Sequence, residues 1–293
     1  MPPAPLPPQS RSITFDVVAA YVRPLGGSFA VGDLIRLLAP LGVDGQTLRT
    51  QVSRLTSKGL LEREQGARYR LSPHAERIAA EGDLRIYARQ RPAELVDGWA
   101  VAVFSVPEQQ REKRHQLRSR LSWLGFGSLD GGVWLAPRRT LEPAVEAVRE
   151  MGMEAFVDIF EAHHRAFGSP RWLVERCWDL PALRTRYGEL VALMRPIRDR
   201  WTGPGTVPSG GDGTTAGDED EGGTGDLAAF VDFTTALLRW RHVPFFDPGL
   251  PAEVLPEAWP GTAAAAIFDE LVQLLAVRAR RHAASVLSGS SGA

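Results

Sequence analysis

The chain has 293 residues, one cysteine and a formal net charge of −1, with 44% hydrophobic and 24% charged residues. Its length predicts two or three folding units rather than one. Lone Cys177 excludes an internal disulfide framework and predicts a buried, inert thiol in a reducing cytoplasm; the near-neutral charge argues against indiscriminate coating of nucleic acid.

Residues 1–10, MPPAPLPPQS, have neither the basic start nor the apolar core of a secretion signal and are expected to be disordered. No run approaches the roughly 18 apolar residues of a membrane span, so no membrane partner and a cytoplasmic location are expected. Ser12 to Val22 has helical apolar spacing, and Phe29 to Leu38 reads as a second helix with Val31, Leu34, Ile35 and Leu38 inward. Pro40 and Gly42 break it, and Asp44 is placed to cap a third helix. Leu60 to Leu71 reads as a hairpin about Gln65-Gly66-Ala67, followed by a connecting helix from Pro73 to Arg91.

The third helix carries the clearest chemistry. Leu48, Val52 and Leu55 share its inward face, while Gln46, Thr50, Ser53, Arg54 and Ser57 lie opposite, with Thr47 and Arg49 on the flanks. That outer face has amide, hydroxyl and guanidinium groups and no acid. Such groups bond base edges in a major groove, where an arginine paired to guanine is worth about 1–3 kcal/mol of discrimination. Arg63, Arg68 and Arg70 on the hairpin suit phosphates or the adjacent minor groove. The bland alternative is a solvated polar face on a protein–protein module. The order helix, turn, helix, basic hairpin predicts instead a winged helix-turn-helix over residues 11–95, with duplex DNA as partner.

Residues 96–170 change rhythm. WAVAVFSV is an apolar strand, Gln109 to Leu124 a charged helix, FGSL and GVWLAP a hairpin through Asp130-Gly131-Gly132, Leu141 to Met151 a helix, and EAFVDIFEA a strand. This βαββαβ order predicts a ferredoxin-like domain. Residues 171–285 read as a helical domain, with an apolar stripe from Leu180 to Ile197, a second helix from Leu227 and a third from Thr262 to Ala284. Within it, residues 203–226 are rich in Gly, Thr, Asp and Glu and are expected to be a solvated, disordered insert; residues 286–293 are expected to be a disordered tail. The fold class is therefore multidomain α+β.

Enzymatic readings find no support in the residues. A nuclease on the central domain needs a metal-binding acid near the end of its first strand, which here reads Phe104-Ser105-Val106-Pro107. Gly125, Gly127, Gly131 and Gly132 sit in a strand–strand hairpin, not at a strand-to-helix phosphate turn. His163 and His164 point to opposite faces, and no metal site, nucleophile elbow or cysteine cluster appears. No catalytic residue, metal or cofactor is expected.

Three blocks resemble one family. RPLGGSFAVGDLIRLLAPLGVDGQTLRTQVSRLTSKGLL is similar to the winged-helix domain of the PaaX family, repressors of phenylacetate degradation. RSRLSWLGFGSLDGGVWLAPR resembles its central domain, similar to the ferredoxin-like fold of CRISPR-associated adaptation nucleases, and FFDPGLPAEVLPEAWPG resembles its C-terminal domain. The resemblance implies a homodimeric bacterial repressor released from operator DNA by an acyl-coenzyme A effector, phenylacetyl-coenzyme A. The proline-rich head and the acidic insert depart from the family pattern. An acyl-coenzyme A needs arginine for phosphates and an apolar wall for its aryl group. Arg239, Trp240, Arg241 and His242 supply both beside the loop from Val243 to Trp259, as do Arg118, Arg120, Trp123 and Trp134; core tryptophans and structural arginines are the alternative. Two other readings stand beside this one: a nucleic-acid-processing, CRISPR-associated accessory protein using the central domain, and an activator of the same architecture.

Overall fold

The computed structural model describes residues 13–87, 93–165, 167–203, 219–243 and 247–288; the predicted head, most of the acidic insert and the last five residues lie outside them. Packing divides the chain into two compact units. Unit 1 gathers residues 1–88, 190–241 and 263–293, and unit 2 gathers 89–189 and 242–262.

In unit 1, α1 (Ile13–Val17) continues as a π turn and ends in a 3-10 turn at Arg23–Leu25. The helix expected from Phe29 begins instead at Val31. The Asp33 carboxylate accepts the Ala30 N–H at 3.2 Å, freeing Phe29–Ala30 to form strand β1. Helix α2 (Val31–Leu38), a 3-10 turn through Pro40 and helix α3 (Gly45–Ser57) follow. The hairpin is β2 (Leu61–Arg63) and β3 (Arg68–Leu71), and the antiparallel sheet runs β1-β3-β2. Ser72 caps α4 (Pro73–Tyr87) by accepting the Ala75 N–H, and its hydroxyl donates to the Gly59 carbonyl at 2.7 Å.

Distant segments complete this unit. They are the second half of α8 (Leu180–Thr202), α9 (Glu219–Trp240) and most of α10 (Pro260–Ser288). The Tyr21 hydroxyl lies 2.6 Å from that of Thr234, its ring packs on Phe230, and burial raises its pKa. Phe268 stacks on Trp240 at 4.7 Å. Three expectations need correction here. Helix α9 starts at Glu219, and Asp226 is buried beside Arg281 at 3.4 Å, so the solvated insert stops short of residue 226. Burial of Ala229 and Phe230 in the core recruits the preceding turns despite their glycines. Helix α10 likewise runs to Ser288, past the expected start of the tail. Among the described residues it is also the one helix long and apolar enough to cross a membrane, where the sequence predicted none; one third of its most apolar window is buried.

Unit 2 is built on β4 (Trp99–Phe104), α5 (Arg111–Trp123), β5 (Gly127–Asp130), β6 (Val133–Pro137), α6 (Leu141–Glu150) and β7 (Val157–Ala162). The sheet is antiparallel throughout, in the order β5-β6-β4-β7. Central strand β4 is apolar along its length and packs on both faces, except at Val103 near its end, which is 38% exposed. Ala100, Ala102 and Phe104 meet Leu117, Leu121, Ala144 and Val148 of α5 and α6. Trp99 faces Leu173 and Val174 of α7 (Pro170–Cys177), with Leu180, Leu250 and Val254. Helix α7 lies so close to β5 that a Cβ on Gly127 would sit 2.5 Å from the Cys177 carbonyl oxygen. Cys177 is half-buried, and its thiol is pushed up to about 11 by desolvation, which makes it a poor nucleophile.

Candidate nucleic-acid interface

Helix α3 is fixed from inside and open outside. Leu48, Val52 and Leu55 are all less than 5% exposed, and Thr14 of α1 donates to the Gln51 side chain at 2.7 Å. Asp44 caps the helix, accepting the Gln46 and Thr47 N–H groups at 2.9 Å; the Thr47 hydroxyl and these amides hold its carboxyl below the usual carboxylate range. Gln46, Thr47, Arg49, Thr50, Ser53 and Arg54 are all exposed. Thr47 donates its hydroxyl to Asp44 and Thr50 donates to the Gln46 carbonyl, whereas the Gln46, Arg49, Ser53 and Arg54 side chains make no hydrogen bond or ion pair with described residues. These four are the groups left to meet a ligand.

The hairpin arginines divide. Arg63 is exposed and makes no ion pair with described residues. Arg70 reaches Glu64 at 3.5 Å with its side chain more than half exposed, a contact of little strength in water. Arg68 is a brace: its Nε donates to Ser28 Oγ at 2.8 Å and a second nitrogen donates to the Ser28 carbonyl, while Ser28 Oγ donates to Glu64. Its guanidinium ties β3 to the residue that precedes β1, so its place on the hairpin is fixed from within the chain.

The predicted effector residues do not form one pocket. Trp134 is 5% exposed in the core between the sheet and α5–α6, with Arg118 over its ring at 5.6 Å. Arg120 lies on the Trp123 ring at 4.6 Å and reaches Glu150 at 3.4 Å. Arg239 is exposed at the end of α9 and His242 is half-buried in unit 2. Trp240 stacks on Phe268 and its indole N–H donates to the Ile86 carbonyl. Arg241 is 2% exposed, 3.3 Å from Asp16 and 3.8 Å from Asp83, which also pairs with Arg23. Trp134 and Arg241 are thus core residues and Trp240 is half-buried, so the Arg241 guanidinium is not exposed to meet a ligand phosphate.

A cleft of about 390 Å³ in unit 2 was missed by sequence reasoning. Trp178, Leu180, Pro181, Pro256 and Trp259 line it, with Glu175 and Arg184 at its rim. The Trp178 indole N–H donates to the Gly125 carbonyl at 3.2 Å, and Trp259 packs edge-on to Tyr187, so both walls are held in place. No group of His, Cys, Asp or Glu among the described residues is arranged to hold a metal.

Three family models match this chain: PaaX-like protein over residues 9–75, PaaX protein central Cas2-like domain over 92–174, and PaaX-like protein C-terminal domain over 215–285. Transcriptional repressor PaaX of Escherichia coli (strain K12) is 28% identical over 260 residues, covering 86% of this chain and 75% of the relative. Among solved structures, an uncharacterized protein, Rv0674, from Mycobacterium tuberculosis is similar with a TM-score of 0.56 and 23% identity, over 92% of this chain and 99% of that one.

Proposed function

The chain belongs to the PaaX family of transcriptional repressors, and from that premise we propose that it represses by laying α3 in the major groove of operator DNA. It is a regulator, not an enzyme. The observation that carries the reading is the exposed, acid-free outer face of α3, locked by a buried apolar stripe beside a basic hairpin. In this reading residues 13–87 form a winged helix-turn-helix and the βαββαβ sheet a ferredoxin-like domain. Two copies occupy a palindromic operator in the cytoplasm, and the accessory nuclease alternative is set aside.

Selection from a random duplex pool is expected to enrich an inverted repeat. On that duplex, Arg54→Ala should cost about 1–3 kcal/mol and blur one base position. Arg63→Ala should weaken cognate and scrambled duplexes alike and reduce the salt slope by about one. Fluorescence anisotropy across salt concentrations separates the two effects. Equal loss on both duplexes from Arg54→Ala removes it from the reading set.

For the effector, the reading is an aryl-acetyl-coenzyme A whose aryl group enters the Trp178–Trp259 cleft. The cleft's volume and apolar walls support this, and Arg184 at the rim offers a cation to the anionic remainder. Phenylacetyl-coenzyme A should release the operator and free phenylacetate should not. Trp259→Ala should raise the thioester concentration needed for release by about tenfold, consistent with the 1–3 kcal/mol of a lost apolar contact. Unchanged release by that variant would move the ligand elsewhere.

A further inference from the structure

Helix α5 turns Leu117 and Leu121 into the core of unit 2 and carries a strongly basic face outside. It holds Arg111, Lys113, Arg114, His115, Arg118 and Arg120 against one acid, Glu112, in a chain whose net charge is −1. This surplus divides. Arg114 donates to Glu108 at 2.8 Å and to the Val106 carbonyl, Arg120 reaches Glu150, and Lys113 lies over the Phe156 ring at 5.6 Å. Arg111, His115 and Arg118 are exposed and make no hydrogen bond or ion pair with described residues.

At about 100° per residue, Arg111, His115, Arg118 and Ser122 fall within one strip about 60° wide, and Glu112 lies about 60° outside it. Gln46, Thr50, Ser53 and Ser57 have the same spacing on α3, but the chemistry differs. The amide and hydroxyls of α3 suit base edges, whereas guanidinium and imidazole groups suit phosphate. The α5 strip is about 16 Å long, and phosphates recur about every 3.4 Å of axis along a DNA strand, so it can meet several at once. A single small anion is the poorer occupant, because it needs donors that converge on a point and these are strung along a line. Arg118 is steadied over the Trp134 ring at 5.6 Å with its N–H donors unspent. The chain crosses four times between unit 2 and the unit that carries α3, so a duplex held by α3 is presented to α5 at high effective concentration.

We propose that the Arg111–His115–Arg118 strip of α5 is a second DNA contact, which binds the phosphate backbone of the duplex whose bases α3 reads. It rests on the α3 reading and adds to it: α3 supplies sequence preference, and α5 supplies affinity indifferent to sequence. Base preference reports on α3 and salt dependence on α5, so each can fail without the other.

The test is fluorescence anisotropy of the full chain across salt concentrations, on a long duplex centred on the selected operator, with circular dichroism melts to establish folding. The double variant Arg111→Gln, Arg118→Gln should bind about tenfold more weakly at physiological salt, and its salt slope should fall by about two while base preference is kept. Ser122→Arg adds a cation to the strip and should tighten binding and steepen the slope by about one. Arg165→Gln, Arg171→Gln removes the same charge from exposed positions elsewhere in unit 2 and should leave the slope unchanged. Equal losses from the two double variants, or a wild-type slope in the α5 double variant, would overturn the proposal. Wild-type DNA binding by that variant, with more phenylacetyl-coenzyme A needed for release, would also overturn it and assign the strip to the effector's phosphates.

Discussion

Replacing Arg241 with methionine is expected to destabilise unit 1 by about 3–5 kcal/mol, the usual cost of removing one partner from a buried ion pair. The guanidinium is almost fully buried between Asp16 on α1 and Asp83 on α4, and it stands just after the end of α9. Removing it leaves two carboxylates facing the hole that it filled. At about 2–4 °C per kcal/mol for domains of this size, the melting temperature should fall by about 10 °C. The triple variant Asp16→Asn, Arg241→Met, Asp83→Asn should recover most of that loss, since the penalty lies in the stranded charge. Arg23→Ala should cost less, because Arg23 is about one fifth exposed and water takes up part of its role. A melting temperature unchanged in Arg241→Met would show that the cluster contributes nothing to stability.

Gly127→Ala is the second large effect expected. The strand conformation there suits any residue, so strain does not enter; space does. The new methyl group would lie 2.5 Å from the Cys177 carbonyl oxygen and 2.7 Å from the Trp178 ring. A carbonyl in the last turn of a packed helix has no rotamer by which to retreat, so β5 or α7 must shift, at a cost of about 1–3 kcal/mol or more. The shift also disturbs the Trp178 to Gly125 hydrogen bond, worth about 1 kcal/mol. Gly188→Ala provides the opposite sign within the same unit. It lies exposed in α8 with nothing near its Cβ, and should stabilise by about 0.5–1 kcal/mol. Urea denaturation of both variants measures the contrast, and equal stabilities would refute the clash.

Local pattern carried the sequence reading far where periodicity is strong. Leu48, Val52 and Leu55 place α3 and its outer face directly, and the unbroken apolar run of β4 announces a strand packed on both sides. The order βαββαβ is readable because each element has its own rhythm, but the strand order is not, since antiparallel partners are chosen by tertiary packing. What escaped is non-local. Arg241 looks like any arginine at a helix end until Asp16, far away in sequence, is seen against it. Trp178 and Trp259 meet across one cleft from distant segments, while Trp134, more conspicuous beside glycines, lies in the core. Arg68 and Arg63 are indistinguishable by residue type, and only Ser28 separates brace from free cation. The start of α9 was hidden because its glycines and aspartates have poor helix propensity, and the buried residues that recruit them come later in the chain.

The hydroxyl pair Tyr21–Thr234 spans 213 residues of sequence. During synthesis at about 5–20 residues per second, Tyr21 leaves the ribosome about 10–40 s before its partner exists. Throughout that interval the first helices of unit 1 have a hydrophobic side with nothing to cover it, because Phe230, Phe233 and Phe268 have yet to be made. These helices are therefore translated before the segments that cover them and are finished only after them. A nascent chain halted before α10 leaves that hydrophobic side open to other chains, and unit 1, with α3 in it, is completed only once α10 has been made.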